Sequence, residues 1–188
     1  MSSRRLAAVA VLATLGALAL PATALAHTRL AGAFAMTGRI TAARGVMGEH
    51  VGEAVSRTWV FGAPCPAGQC LIESLVRSQA TGQDRVTLRR PGILVLDRWV
   101  GMGSFFAPLR CGSRVYPRGE RVFFTIRVRI TVVAVLGGAP AATGISASYT
   151  SYRRTNRTRC VPDLGRDAAV YTGTLITPTP PAPTPAPG

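Results

Sequence analysis

Residues 121–136 read Arg-Val-Phe-Phe-Thr-Ile-Arg-Val-Arg-Ile-Thr-Val-Val-Ala-Val-Leu, and this run constrains the fold more than any other part of the chain. Val122, Phe124, Ile126, Val128, Ile130 and Val132 fall on one face; Arg121, Thr125, Arg127, Arg129 and Thr131 fall on the other. That period of two belongs to a strand with one buried face. The β-branched and aromatic residues suit a pleated surface. In a helix the arginines would scatter around the cylinder, and the β-branched residues would lose side-chain freedom against the preceding turn. A straight strand of this length would reach about 50 Å. A chain this short cannot house it straight, so the strand has to coil or bend.

The compartment follows from the first residues. Arg4 and Arg5 precede the apolar run 6–20, then Pro21 and the small-residue end Ala24-Leu25-Ala26. This is the pattern of a secretory signal peptide over 1–26, with cleavage expected before His27. Removing 26 of the 188 residues leaves 162, enough for one domain with its own core. Losing Arg4 and Arg5 from 22 basic residues leaves 20 against 8 acidic ones, a formal +12, and every basic residue is arginine because the sequence has no lysine. Lysine chemistry is excluded, and the charge favours anionic partners. Four cysteines in an exported chain predict two disulfides. Of the three possible pairings, Cys65–Cys70 closes a tight local loop and leaves Cys111–Cys160 as the long-range bridge. Spacing without nearby histidines disfavours a zinc site.

The remaining strands are read from alternation and turn residues at 32–41, 55–62, 70–77, 84–90, 93–100, 145–152 and 168–176. Gly38 is expected to permit a bend or bulge. Leu71, Ile72, Leu75 and Val76 suggest burial on both faces of the third strand, and Arg57 is a charged mismatch on the apolar face of the second. Residues 101–103 are expected to introduce an aromatic pair, Phe105 and Phe106, that covers an edge or end of the sheet. Segments 112–119 and 153–159 read as turns. Residues 178–188 form a Pro-rich sequence that cannot supply ladder donors and is expected to be a disordered tail. The fold class is therefore all-β: a single antiparallel domain of about eight strands over 27–177. It is either an up-and-down, lipocalin-like barrel or a bent β-sandwich, with two disulfides.

Chemistry is sparse. His27, if it becomes the mature N-terminus, offers an α-amino group and an imidazole, and His50 is the only other histidine. Amine plus two imidazoles is the minimum set for copper. This pair resembles the copper brace of the secreted copper monooxygenases that act on polysaccharides, a family built on a β-sandwich. The resemblance covers those two residues and implies copper held by His27 and His50. The stretch Glu49-His50-Val51-Gly52-Glu53 lacks the second histidine of a metalloprotease helix. No Gly-x-Ser-x-Gly elbow occurs, and the eight acids are too dispersed to nominate a glycosidase pair.

The densest positive patch is Arg153, Arg154, Arg157 and Arg159, with Tyr149 and Tyr152 nearby and with Arg127 and Arg129 on the polar face of the central strand. Export disfavours nucleic acid as the partner. The patch fits an anionic cell-wall polymer, lipid or glycan. If the sheet encloses a cavity, a small apolar ligand would meet Phe124, Ile126 and Trp59. The leading expectation is a secreted, disulfide-stabilised, non-enzymatic binding or cell-surface interaction module, with no cofactor. The binding residues are Arg127, Arg129, Tyr152, Arg153, Arg154, Arg157 and Arg159. The alternative is a copper-binding protein or copper-dependent oxidative enzyme.

Overall fold

The alternating run lies inside the longest strand of a sheet of eight. The computed structural model describes residues 28–62, 71–79, 82–92, 97–160 and 165–177. The strands are β1 (Gly32–Arg44), β2 (Ala54–Gly62), β3 (Ile72–Gln79), β4 (Gly82–Arg89), β5 (Arg98–Cys111), β6 (Arg114–Leu136), β7 (Ala139–Asn156) and β8 (Arg166–Thr177). Each pairs antiparallel with its neighbours in the chain. β8 returns to pair with β1, from Ala33↔Thr177 to Arg44↔Arg166. The eight strands thus form one sheet closed into a ring, not two sheets face to face, and no helix occurs among the described residues. Closure removes the free edges that an open sheet would present.

The inward residues of the strands make one core: Phe34, Trp59, Phe61, Leu75, Leu88, Trp99, Phe124 and Ile126 are all at most 1% exposed. Rings meet edge to face at Phe34–Phe61, 5.4 Å between centroids, and tilted at Phe124–Tyr149, 5.5 Å. Burying a side chain of this size contributes about 1.5–3 kcal/mol. Inward glycines make room for this packing. A Cβ on Gly103 would lie 2.6 Å from the Phe124 ring, and one on Gly38 would lie 2.3 Å from the Val170 carbonyl and 2.5 Å from the Tyr171 ring.

Several expectations need correction. Gly38 is not a bulge; the register of β1 against β8 shifts at Ala33/Phe34 and Ile40/Ala42 instead, and Gly38 serves to admit Tyr171. β3 is not buried on both faces: Leu71 and Ile72 are exposed, and its inward face carries Glu73, Leu75 and Arg77. Val132 leaves the apolar face because the β6–β7 register shifts on both sides of it, and it is 54% exposed. Residues 101–106 are continuous β5, and most of 112–119 is the start of β6; the turn is confined to Gly112 and Ser113. Residues 153–156 end β7 instead of forming a turn.

One disulfide is present among the described residues, Cys111–Cys160, with the Cα atoms 6.1 Å apart. It ties the tip of the β5–β6 hairpin to the segment that follows β7. The disulfide is consistent with an extracellular protein. The Cys65–Cys70 pairing, the signal peptide 1–26, His27 and the tail 178–188 lie outside the described residues.

Candidate functional site

Two features draw charge to the upper end of the ring, the end that carries the β1–β2 loop, the β3–β4 turn and the β5–β6 hairpin. The first is the fate of the acids. Seven of the eight lie among the described residues; Asp84, Glu120 and Asp167 point inward near this end, Glu73 points inward at the opposite end, and Glu49 hangs over the upper mouth. Inside, Arg77 forks onto Asp84, its Nε donating at 2.9 Å and its Nη2 donating to the other oxygen. Arg154 donates from Nη1 to Glu120 and from Nη2 to Asp167, the latter at 2.5 Å. A buried charge is tolerated only when paired, and these pairs meet that condition.

Arg154 reaches the interior because of one irregularity. Between Phe123 and Phe124 the register of β7 skips a residue, from Arg153 to Ser151. Tyr152 and Arg153 consequently both face out, and Arg154 turns in, 8% exposed. A bulge commonly re-aims a side chain in this way. Arg154 is therefore not part of the surface patch expected from the sequence. Burial pulls its pKa down, but the Asp167 and Glu120 carboxylates outweigh this and raise it. Burial also pushes the Glu120 carboxyl up against the lowering effect of Arg154.

The second feature is the outer face of β5, β6 and the end of β7. Arg118 and Arg157 both lie over the Phe106 ring, at 4.2 and 4.7 Å, and Arg121 and Arg153 flank Phe123 at 4.9 and 5.6 Å. Tyr152 packs beside Phe123, 6.5 Å between centroids. Arg121 also donates to Ser104 Oγ from Nε and Nη2, at 3.2 and 3.0 Å. Among the described residues none of these four arginines has a carboxylate partner; the arginines that do are Arg77, Arg98, Arg129 and Arg154. Asp84, Glu120 and Asp167 are spent inside and Asp97 on Arg98 and Arg129, and these four outer guanidiniums are left stacked on rings.

Of the residues expected to bind, Arg127, Arg129, Tyr152, Arg153, Arg157 and Arg159 are exposed. Arg129 is held by Asp97 at 2.7 Å. The bend carrying Arg157 and Arg159 is fixed by Asn156, whose Oδ1 accepts from Thr158 N at 2.7 Å, and by Arg157 N donating to Gly119 O at 2.8 Å. Sequence reasoning missed Arg118, Arg121, Phe106 and Phe123. Their signal was the run of outward residues on both strands of the β5–β6 hairpin, obscured because 112–119 reads as a turn.

Between β4 and β5 the sheet is weakest. Only Leu88↔Gly101 and Arg89↔Val100 pair, although both strands continue upward. The strands part into a cleft of about 670 Å³, with Asp84 and Arg85 on one side, Ser104, Phe105 and Phe106 on the other, and Arg118 above. Phe105 also lines a smaller cavity inside the upper mouth, of about 50 Å³, formed with Glu49, Arg57, Trp59, Tyr149 and Tyr171. Arg77 and Asp167 reach this cavity too. Burial, and then Asp167, push the Glu49 carboxyl up; burial also raises the Tyr149 and Tyr171 phenols. The mismatch of Arg57 on an apolar face is thereby explained: it stands at the polar mouth.

Phe124, Ile126 and Trp59, expected to meet an apolar ligand, are all buried members of the core cluster. His50 is exposed in the β1–β2 loop, its backbone N donating to Glu53 Oε2 at 3.1 Å. No group of three or more His, Cys, Asp or Glu side chains is placed to hold a metal among the described residues. Comparison with protein-family models, curated proteins and solved structures gives no match.

Proposed function

We propose that the protein is an exported, non-enzymatic binding module whose outer β5–β6–β7 face holds an anionic polymer of the cell wall or an acidic glycan. The observation that carries this reading is the set Arg118, Arg121, Arg153 and Arg157, stacked on Phe106 and Phe123 without a carboxylate partner among the described residues. A guanidinium stacked by its face keeps its N–H edge available for an oxyanion, and stacking removes part of the rotamer freedom that binding would otherwise have to freeze. The Cys111–Cys160 disulfide supports the same reading twice over. It suits an oxidising compartment, and it fastens the hairpin bearing Arg118 to the bend bearing Arg157. A lipocalin-like barrel is the architecture that the ring favours.

The test uses polygalacturonate and polyphosphate as probes. Changing Arg118, Arg121, Arg153 and Arg157 together to Ser is expected to weaken polymer binding at least tenfold and to flatten its salt dependence. Changing exposed Arg39 and Arg166, on β1 and β8, removes charge elsewhere and is expected to leave affinity within about twofold. Equal losses in both variants, or no binding of either polymer by the unaltered protein, would overturn the proposal.

A further inference from the structure

The cavity inside the upper mouth carries an unused set of hydrogen-bond donors. Tyr149, 6% exposed, lines it, and its hydroxyl lies beside the Asp167 carboxylate without a well-formed hydrogen bond. Arg57 lines the same space, and its side-chain hydrogen bond among the described residues runs from Nη1 to the carbonyl of its own neighbour Ser56, at 2.8 Å. No carboxylate forms an ion pair with Arg57 among the described residues. Buried polar groups in folded proteins are normally satisfied, so a converging set that is not calls for a ligand that supplies acceptors. The inner space of about 50 Å³ has room for a few water-sized groups, enough for a headgroup and too little for a sugar ring.

We propose that this cavity is a carboxylate site, in which Arg57 and the Tyr149 hydroxyl take the oxygens of one monoanionic headgroup while Trp59 and Tyr171 flank the carbon behind it. Trp59 and Tyr171 already stand 5.3 Å apart as a tilted pair. The choice of a monoanion follows from the acids at the site. Glu49 and Asp167 both line the cavity, and a phosphate dianion would bring a second negative charge towards them where a monoanion brings one. The same headgroup has two sources: a free small organic acid, or the uronate end of an acidic glycan lying in the adjoining β4–β5 cleft, which shares Phe105 with the cavity.

The experiment is calorimetric titration of the full mature chain with glucuronate, a short oligogalacturonide, glucose and inorganic phosphate. Saturable binding of glucuronate as tight as the oligomer assigns the site to free acids; binding of the oligomer alone assigns it to a glycan end. In either case glucose and phosphate are expected to bind at least tenfold more weakly. Arg57→Met and Tyr149→Phe should each cost at least tenfold, and Tyr149→Phe keeps the ring on Phe124, so its melting temperature should stay unchanged. The Arg118, Arg121, Arg153 and Arg157 variant should retain glucuronate binding, which separates failure of this site from failure of the outer face. Binding of neither carboxylate ligand, binding of glucose or phosphate as tight as the carboxylate, or indifference to Arg57→Met would overturn the proposal.

Discussion

Glu73→Gln should reverse its effect on stability between acid and alkaline pH. Glu73 is wholly buried on the inward face of β3; neither of its oxygens has a hydrogen-bond partner, and neither do the side-chain nitrogens of nearby Arg90. Burial pushes the Glu73 carboxyl from 4.5 to about 8, against the lowering influence of Arg90 and Arg29. The folded state therefore holds one more proton than the unfolded state between those values. Stability contributed by the protonated group is fully present below pH 4.5, declines across the window and is gone above about 8. The gap, 8 − 4.5, is 3.5 units, worth up to about 5 kcal/mol in all, or about 1.4 kcal/mol per pH unit inside the window. Glutamine keeps the shape and cannot ionise. Urea unfolding of both proteins at several pH values from 5 to 8 gives the difference in stability, in which other titrating groups cancel. The difference should move in favour of Glu73→Gln by about 3 kcal/mol over two pH units. Arg90→Met should extend the wild-type decline to higher pH, since it removes a cation that stabilises the charged carboxylate. A difference that stays constant with pH would show Glu73 ionised and paired with Arg90 throughout, and would refute the reasoning.

Two further outcomes follow from the upper end of the ring. Arg154→Met leaves Glu120 and Asp167 buried without their cation and should cost about 3–5 kcal/mol near neutral pH, a deficit that shrinks as acid protonates the carboxyls. Urea denaturation at neutral and mildly acidic pH measures both. Replacing Cys111 and Cys160 together with Ser reopens a loop of 49 residues and should cost about 4 kcal/mol in the chain-entropy picture. Hydrogen exchange should then quicken in the β5–β6 hairpin before anywhere else; equal protection with and without the bridge would contradict the role given to it.

The all-β class, the alternation of β6, the inward Val86 and Leu88 of β4, and the antiparallel pairing of β6 with β7 were all legible in the order of the residues. These follow from a period of two and from turn residues, which act locally and survive without knowledge of the partner strands. The long-range cysteine pair was also legible, because four cysteines allow few pairings. Where the charges go depends instead on how the strands close into a ring. Closure of β8 onto β1 turns alternate residues of every strand towards one enclosed space, so dispersed acids at 84, 120 and 167 meet arginines at 77 and 154 that sequence spacing does not associate with them. A one-residue shift in β7 then sends Arg154 inward and leaves Arg153 outside. Such a shift is chosen by the pairing of two strands together, because a single strand read alone keeps strict alternation. The outer arginines stay unpaired for the same reason: buried charges cost more unpaired than exposed ones, so the few carboxylates serve the interior first.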